Sequence, residues 1–465
     1  MPRIDNNGAC GLSRERAKRI SGTATLNSTE EILHDICCTQ CGCVCDDLNV
    51  TVRNNSVATF DPGCLLTDKF FDRLRTGPAH DATMIEGKAV SLKMATAKAA
   101  EILRTSRSPL IYGLSRSATA GQRAACHLAD MLGANIDTTA STCHAPSILA
   151  LQQAGESTST LGEVRNRSDL VIYWGSNPVQ SHPRHLERFV DSPGLEIPGG
   201  RRQRTLVVID VQETETSELA DVFIRVERDR DFDLIHALRG AVSGLPLPHS
   251  SIAGVPADTI GDLASRMRSS RYGSVFFGLG ITHGSLPHLT VANLLELVTD
   301  LNHHTRFVAR RMRIPGDVTG ADSVLCWQTG YPFSVNLGRG FPRYNPGEFT
   351  ANDLLRRGEV DAALLVGTEG VSKLDPSAVE HLTSIPTIVL DYPSVDLPFE
   401  PAVVFRTAVY GVHAPGSVYR MDEVPIPLRR AIRSDLPTDD EVLSHIIQRI
   451  DEREFSDAAP QSGRS

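Results

Sequence analysis

The sequence predicts an α/β protein: two doubly wound parallel-sheet domains plus a small cysteine-bearing N-terminal domain. Three observations carry this. The chain has 465 residues, too many for one compact core. From about residue 90, short β-rich apolar runs alternate with helical stretches, and most runs end at Gly or Asp, as strands of parallel sheets often do. Five of the ten cysteines fall within nine residues, from Cys37 to Cys45.

The elements follow in order. Residues 1–29 are polar and basic with no apolar centre, which predicts a disordered tail and not a secretory signal. Residues 48–52 alternate apolar and polar, Asn54-Asn55 supplies a turn, and a second strand runs through Val57 and Phe60. Buried strands are predicted at 109–112, 170–174, 206–209, 274–277, 362–366 and 387–390. Helices are predicted at 118–132, with Ser115 and Ser117 as caps and Gly133 as the stop, and at 289–301. Thr438 and Glu441 form a capping box before a helix with Val442, Ile446 and Ile450 on one face.

Composition narrows the function. A net charge of −9 provides no global field for nucleic acid, and no apolar run approaches membrane-spanning length. Two basic clusters stand out. Arg201, Arg202 and Arg204 read as a solvated loop; Arg306, Arg310, Arg311 and Arg313 sit near Gly and Pro, where an anion can be met. Clustered thiols in a chain this large suit metal ligation better than disulfides, which implies a cytoplasmic protein.

The cysteines read Cys38-x2-Cys41-x3-Cys45, with Cys64 following after the hairpin. Four thiolates satisfy either a [4Fe-4S] cluster or a zinc ion. A zinc ribbon more often shows two matched CxxC knuckles, and this sequence has one, so the spacing favours an iron–sulfur domain. Cys37 and Cys43 are surplus to a four-ligand set.

Residues 38–47, with three of these cysteines and Asp46-Asp47, resemble the N-terminal domain of molybdenum- and tungsten-bispterin oxidoreductases, above all the B-subunit of formylmethanofuran dehydrogenase. The similarity continues through residues 136–147, 160–163, 169–178, 182–185, 220–224, 327–333, 342–348 and 419–422. Alternation and resemblance together divide the chain into a tail (1–29), an iron–sulfur domain (30–76), an α/β domain in two pieces (77–140 and 321–430), an inserted α/β domain (141–320), and a C-terminal helix and tail (431–465).

The resemblance also implies chemistry. Archaeal members of the family reduce carbon dioxide to formate at a tungsto- or molybdo-bispterin guanine dinucleotide, and a hydrolase A-subunit condenses formate with methanofuran. In the bacterial formyltransferase/hydrolase relative, a formyl group from formyl-tetrahydromethanopterin is released as formate, and the B-subunit is a scaffold. Implied partners are the hydrolase A-subunit, the C-subunit, and either a formyltransferase component or a barrel-forming D-subunit, with neither nucleic acid nor membrane. Cys143 stands at the metal-ligating position, His144 at the adjacent proton-handling position, and Arg313 where the family holds the formate carboxylate. The thiolate is a soft ligand, imidazole can move a proton, and guanidinium matches a carboxylate. Candidate cofactor-binding loops contain Trp174, Gly175 and Asn177; Asp210 and Thr214; and Gly278 and Gly280. These read equally as ordinary strand-end turns. Three positions depart from the family pattern: Leu66 replaces a lysine between cluster and pterin, and Ala145 and Ile314 replace glycines.

Overall fold

The computed structural model describes residues 30–76, 82–314 and 316–458. The expected tail at 1–29 and the last residues, 459–465, lie outside the described residues.

Three antiparallel strands, Glu30–Ile36, Leu48–Arg53 and Ser56–Asp61, make the N-terminal sheet. The predicted hairpin is there, and Asn54 and Asn55 take the positive φ values (50° and 59°) that its two-residue turn demands. The first strand was not predicted. Its exposed, charged residues hide the alternation, since only one end of it is buried.

A nine-stranded sheet has five parallel strands at its centre, in the order Asn135–Thr138, Pro109–Gly113, Ala362–Val366, Thr387–Asp391 and Val403–Arg406. Short antiparallel strands close both edges. The second sheet is wholly parallel and is inserted between the two halves of the first. Its order is Val222–Arg225, Thr205–Asp210, Leu170–Trp174, Tyr272–Phe277 and Arg306–Arg311. All six predicted buried strands are present, and burial on both faces explains why they read as continuous apolar runs.

The strand Arg306–Arg311 puts most of the second basic cluster on the inserted sheet, where its charges are satisfied inside the protein. Arg310 and Arg311 are buried; Arg310 donates to the Met421 and Ser159 carbonyls, and Arg311 pairs with Glu156 and Glu423. Arg204 corrects the reading of the first cluster as a solvated loop. It is buried, and its guanidinium binds the carbonyls of Ser168, Ser192, Val190 and Arg165, a capping role no water-exposed loop would need.

Helix Thr119–Leu132 ends at Gly133 in the left-handed region (φ 59°), as predicted. Its N-cap is Ala118 with no side-chain bond: the Ser115 hydroxyl meets that of Thr139, and the Ser117 hydroxyl donates to Ala118 O (3.1 Å). The capping box holds: Thr438 N–H donates to Glu441 (2.9 Å) and Glu441 N–H to Thr438 (3.4 Å). The helix it opens, Asp439–Ala458, lays Val442, Leu443, Ile446 and Ile450 into the core of the large sheet. No described helix is long and apolar enough to cross a membrane.

Candidate active site and cysteine centre

The cysteine loop joins the first two strands. Cys38 N–H donates to Cys45 O (2.8 Å) and Val44 N–H to Cys41 O (3.1 Å), so three thiols share one tight turn. Cys38, Cys41 and Cys45 are buried, and Cys64 precedes helix Leu65–Thr76. The Thr67 hydroxyl lies 3.5 Å from the Cys38 sulfur and 3.2 Å from that of Cys64. The hairpin thus returns the distant cysteine to the loop. Burial pushes the Cys45 thiol up to about 12, opposed by the charge of Arg188, and also raises Cys38.

The surplus thiols separate cleanly. Cys43 is fully buried and hydrogen-bonded to Cys41, which favours the Cys41 thiolate. Cys37 lies in another apolar cluster, 3.7 Å from the Pro427 carbonyl. Arg184 and Arg188 flank the loop. Arg184 grips Asp47 with two bonds (2.7 and 2.8 Å), and Arg188 binds Asp46 (2.6 Å). Buried thiols with cations beside them fit a negatively charged thiolate-bound centre. Among the described residues no three His, Cys, Asp or Glu side chains are gathered so as to hold a metal ion.

Cys143 and His144 occupy the turn from strand Asn135–Thr138 through the short 3₁₀ segment Thr139–Thr142 to helix Ala145–Ala154. The Cys143 thiol donates to Thr139 O (3.2 Å); burial raises it to about 11, against the pull of Arg313. His144 is buried, and burial followed by the charge of Arg313 holds its pKa well below the ordinary value, so it is neutral at pH 7. Its Nδ1 has no hydrogen-bond partner. Arg313 is buried just past the strand Arg306–Arg311. Its guanidinium pairs with Asp322, its Nη1 lies 3.5 Å from the Thr319 hydroxyl, and its Nε has no partner. The three predicted residues therefore stand together, from two different sheets.

A cavity of about 210 Å³ opens here, lined by Cys143, His144, Gly175, Asn177, Gly278, Gly280 and Ile314 among others. It lies at the strand-order reversal of the inserted sheet, where such folds bind ligands. Gly175 has φ 54°, and a Cβ on Gly278 or Gly280 would fall 2.5–2.6 Å from Gly175 backbone atoms. Backbone packing alone thus requires these glycines, although they also floor the cavity. Trp174 is a correction: it is fully buried in the core, and its indole N–H donates to Asp231 (2.7 Å). Asp210 accepts from Val211 N–H (2.8 Å), Thr214 N–H donates to Ser217 (2.8 Å), and Asn177 binds Glu215 and Thr216 (both 2.6 Å). Neither Asp210 nor Thr214 lines the cavity.

A second cleft, about 290 Å³, sits at the reversal of the large sheet and is lined by Thr39, Leu66, Lys69, Arg73, Arg116 and Tyr392 among others. Lys69 and Arg73, on the same helix as Leu66, bring positive charge to this cleft. Arg116 binds Asp391 (2.9 and 3.1 Å) and lies 3.5 Å from Glu369. Both Glu369 oxygens lack hydrogen-bond donors, and burial raises this carboxyl to about 7.

The cysteine loop and the arginine segment touch backbone to backbone. Arg313 O accepts from Gly42 N–H (3.1 Å) and from His182 Nε2–H (2.9 Å). A Cβ on Gly42 would lie 2.4 Å from Arg313 O, and one on Gly316 would lie 2.0 Å from Thr39 O. Sequence reasoning missed Gly42, His182, Arg188 and Asp322 as site residues. His182 and Arg184 were noted only within a family-like run, and nothing local to Asp322 signals its partner.

No family model matches the chain. It is 37% identical to the B-subunit of tungsten-containing formylmethanofuran dehydrogenase 2 of Methanocaldococcus jannaschii, over 91% of this chain and 99% of that one. It is 28% identical to the B-subunit of the formyltransferase/hydrolase complex of Methylorubrum extorquens, over 61% and 74% of the two chains. The crystal structure of that complex with methylofuran contains a chain matching with TM-score 0.67 at 24% identity, over 80% of this chain and all of that one, a likeness of fold. Identity at this level across nearly the whole length, joined to a mixed α/β architecture of parallel sheets, means that the chain belongs to the formylmethanofuran dehydrogenase B-subunit family.

Proposed function

We propose that this chain is the B-subunit of a formylmethanofuran dehydrogenase-type or formyltransferase/hydrolase complex, handling formate, carbon dioxide and formyl groups in methanofuran- or tetrahydromethanopterin-linked one-carbon metabolism. The observation that carries the reading is that Cys143 and His144 line one cavity while Arg313, buried between the cavity residues Met312 and Ile314, acts on both through its charge, with His144 Nδ1 and Arg313 Nε both unpartnered. Buried polar atoms left without partners are costly, about 1–3 kcal/mol each, and are kept where a ligand completes them.

When bound, a tungsten or molybdenum bis-pterin supplies the two-electron chemistry between carbon dioxide and formate. The Cys143 sulfur is the soft ligand for it. Arg313 holds a carboxylate through its free donors, and neutral His144 accepts or returns a proton at Nδ1. The loops at Gly175 and Gly278–Gly280, and the cleft at Arg116, are the two places along the sheet edges for the cofactor's halves. Cys38, Cys41, Cys45 and Cys64 hold a [4Fe-4S] cluster that ties residues 30–76 together. Partners are the hydrolase A-subunit, the C-subunit, and either a formyltransferase component or a barrel-forming D-subunit.

A second reading, a scaffold component without redox work, is favoured by Ile314 in the cavity wall and Leu66 on the cleft, where the family pattern has smaller or basic residues. Metal and pterin analysis of the anaerobically purified complex separates the two. Bound tungsten or molybdenum, with formate–carbon dioxide exchange lost in Cys143→Ser, supports the first; a metal- and pterin-free complex that still releases formate supports the second.

A further inference from the structure

Asp322 is a charged side chain inside the site, and neither the sequence pattern nor the resemblance gives it a role. It lies on helix Val318–Thr329, which packs against the large sheet. Its side chain is 9% exposed, and both carboxylate oxygens are in use. One pairs with the Arg313 guanidinium, and the other accepts the Thr138 hydroxyl at 2.8 Å.

Those two partners come from different sheets. Thr138 ends the strand that leads directly into the Cys143–His144 turn. Arg313 follows the last strand of the inserted sheet. A single carboxylate therefore fixes the spacing between the thiol–imidazole pair and the guanidinium. It also fixes the rotation of that guanidinium. Asp322 engages Nη2 and Thr319 stands 3.5 Å from Nη1, while Nε is left without a partner. A guanidinium is a planar fork, so holding one edge determines where the free edge points.

We infer that Asp322 is the positioning residue of the site: it holds Arg313 by one edge, so that the remaining donors stay aligned for a small carboxylate beside His144. This rests on the reading of Arg313 as the formate-holding group. The ion pair is buried, so full removal of the carboxylate threatens folding. Asp322→Asn keeps shape and the Thr138 bond while removing the charge. Thr138→Val keeps the charge and frees one oxygen.

The test uses the full chain, purified anaerobically, with formate binding read by saturation-transfer NMR, and the complex, with KM and kcat for formate read separately. Asp322→Asn is expected to weaken formate binding and raise KM about tenfold or more, with a smaller fall in kcat, as loss of a charge-assisted contact implies. Asp322→Glu should recover part of this, and Thr138→Val should show a smaller shift of about threefold in the same direction, because the Asp322–Arg313 pair survives it. Arg313→Gln is the control. If it abolishes binding while folded Asp322→Asn and Thr138→Val both bind formate as the parent does, the positioning role is wrong and the site reading stands. If Asp322→Asn fails to fold, Thr138→Val decides alone. If Arg313→Gln binds formate like the parent, the site reading fails and takes this inference with it.

Discussion

Gly42 is the sharpest test of how the cysteine loop is held. In Gly42→Ala the new Cβ would stand 2.4 Å from Arg313 O and 2.9 Å from the Met421 Cβ. Relief requires the loop to withdraw by roughly 1 Å, because ordinary contact begins near 3.4 Å. That movement stretches two backbone bonds, Gly42 N–H to Arg313 O (3.1 Å) and Met421 N–H to Gly42 O (2.8 Å). Each net bond is worth about 1 kcal/mol, and a buried group left unsatisfied costs about 1–3 kcal/mol. The sum is about 2–4 kcal/mol, concentrated locally. At a factor of ten per about 1.4 kcal/mol, amide exchange across residues 38–50 should accelerate about thirty- to seven-hundred-fold. Hydrogen exchange with mass spectrometry reads this directly. The helix Asp439–Ala458 packs into the core of the large sheet and serves as the internal reference. If exchange at 38–50 stays within about threefold of the parent while the loop remains folded, the junction does not carry the energy assigned to it.

Two further outcomes follow. Cys64→Ser should lower iron from about four per chain, by cluster stoichiometry, and expose residues 30–76 to protease, leaving formyl hydrolysis by the hydrolase component intact; full iron content by elemental analysis would remove Cys64 from the ligand set. Glu369 has its carboxyl raised from 4.5 to about 7 by burial, so its neutral form favours the fold and stability falls as pH climbs from 4.5 through 7. Glu369→Gln should flatten that limb by up to about 3 kcal/mol, at about 1.36 kcal/mol per pH unit; unfolding midpoints with equal slopes in parent and variant between those pH values would count against the shift.

Strand identity was legible where both faces of a strand are buried, because apolar runs such as 170–174 and 362–366 admit little else. It was not legible at Arg306–Arg311, where burial is masked by guanidiniums that are satisfied internally. Trp174 was misread for a related reason: the sequence shows a large aromatic before Gly175 but not the buried Asp231 that takes its indole proton. Cys143, His144 and Arg313 were legible only through the resemblance, since each alone reads as an ordinary turn or surface residue. Asp322, which pairs with Arg313 and Thr138, depends on an approach between a helix and two separate sheets, which no local pattern encodes.

The large sheet is written in two instalments. Its central strand Pro109–Gly113 acquires its neighbour Ala362–Val366 only after the whole inserted sheet has been synthesised. On the ribosome, then, the strands at 109 and 135 wait with one flank open while the insert, contiguous from Leu170 to Arg311, has everything it needs to fold. An unpaired apolar strand held open for that interval is a site for chaperones and a hazard for aggregation. A pause between the insert and residue 366 would lengthen that exposure, and brisk translation of the same stretch would shorten it, even though no residue of the mature protein differs.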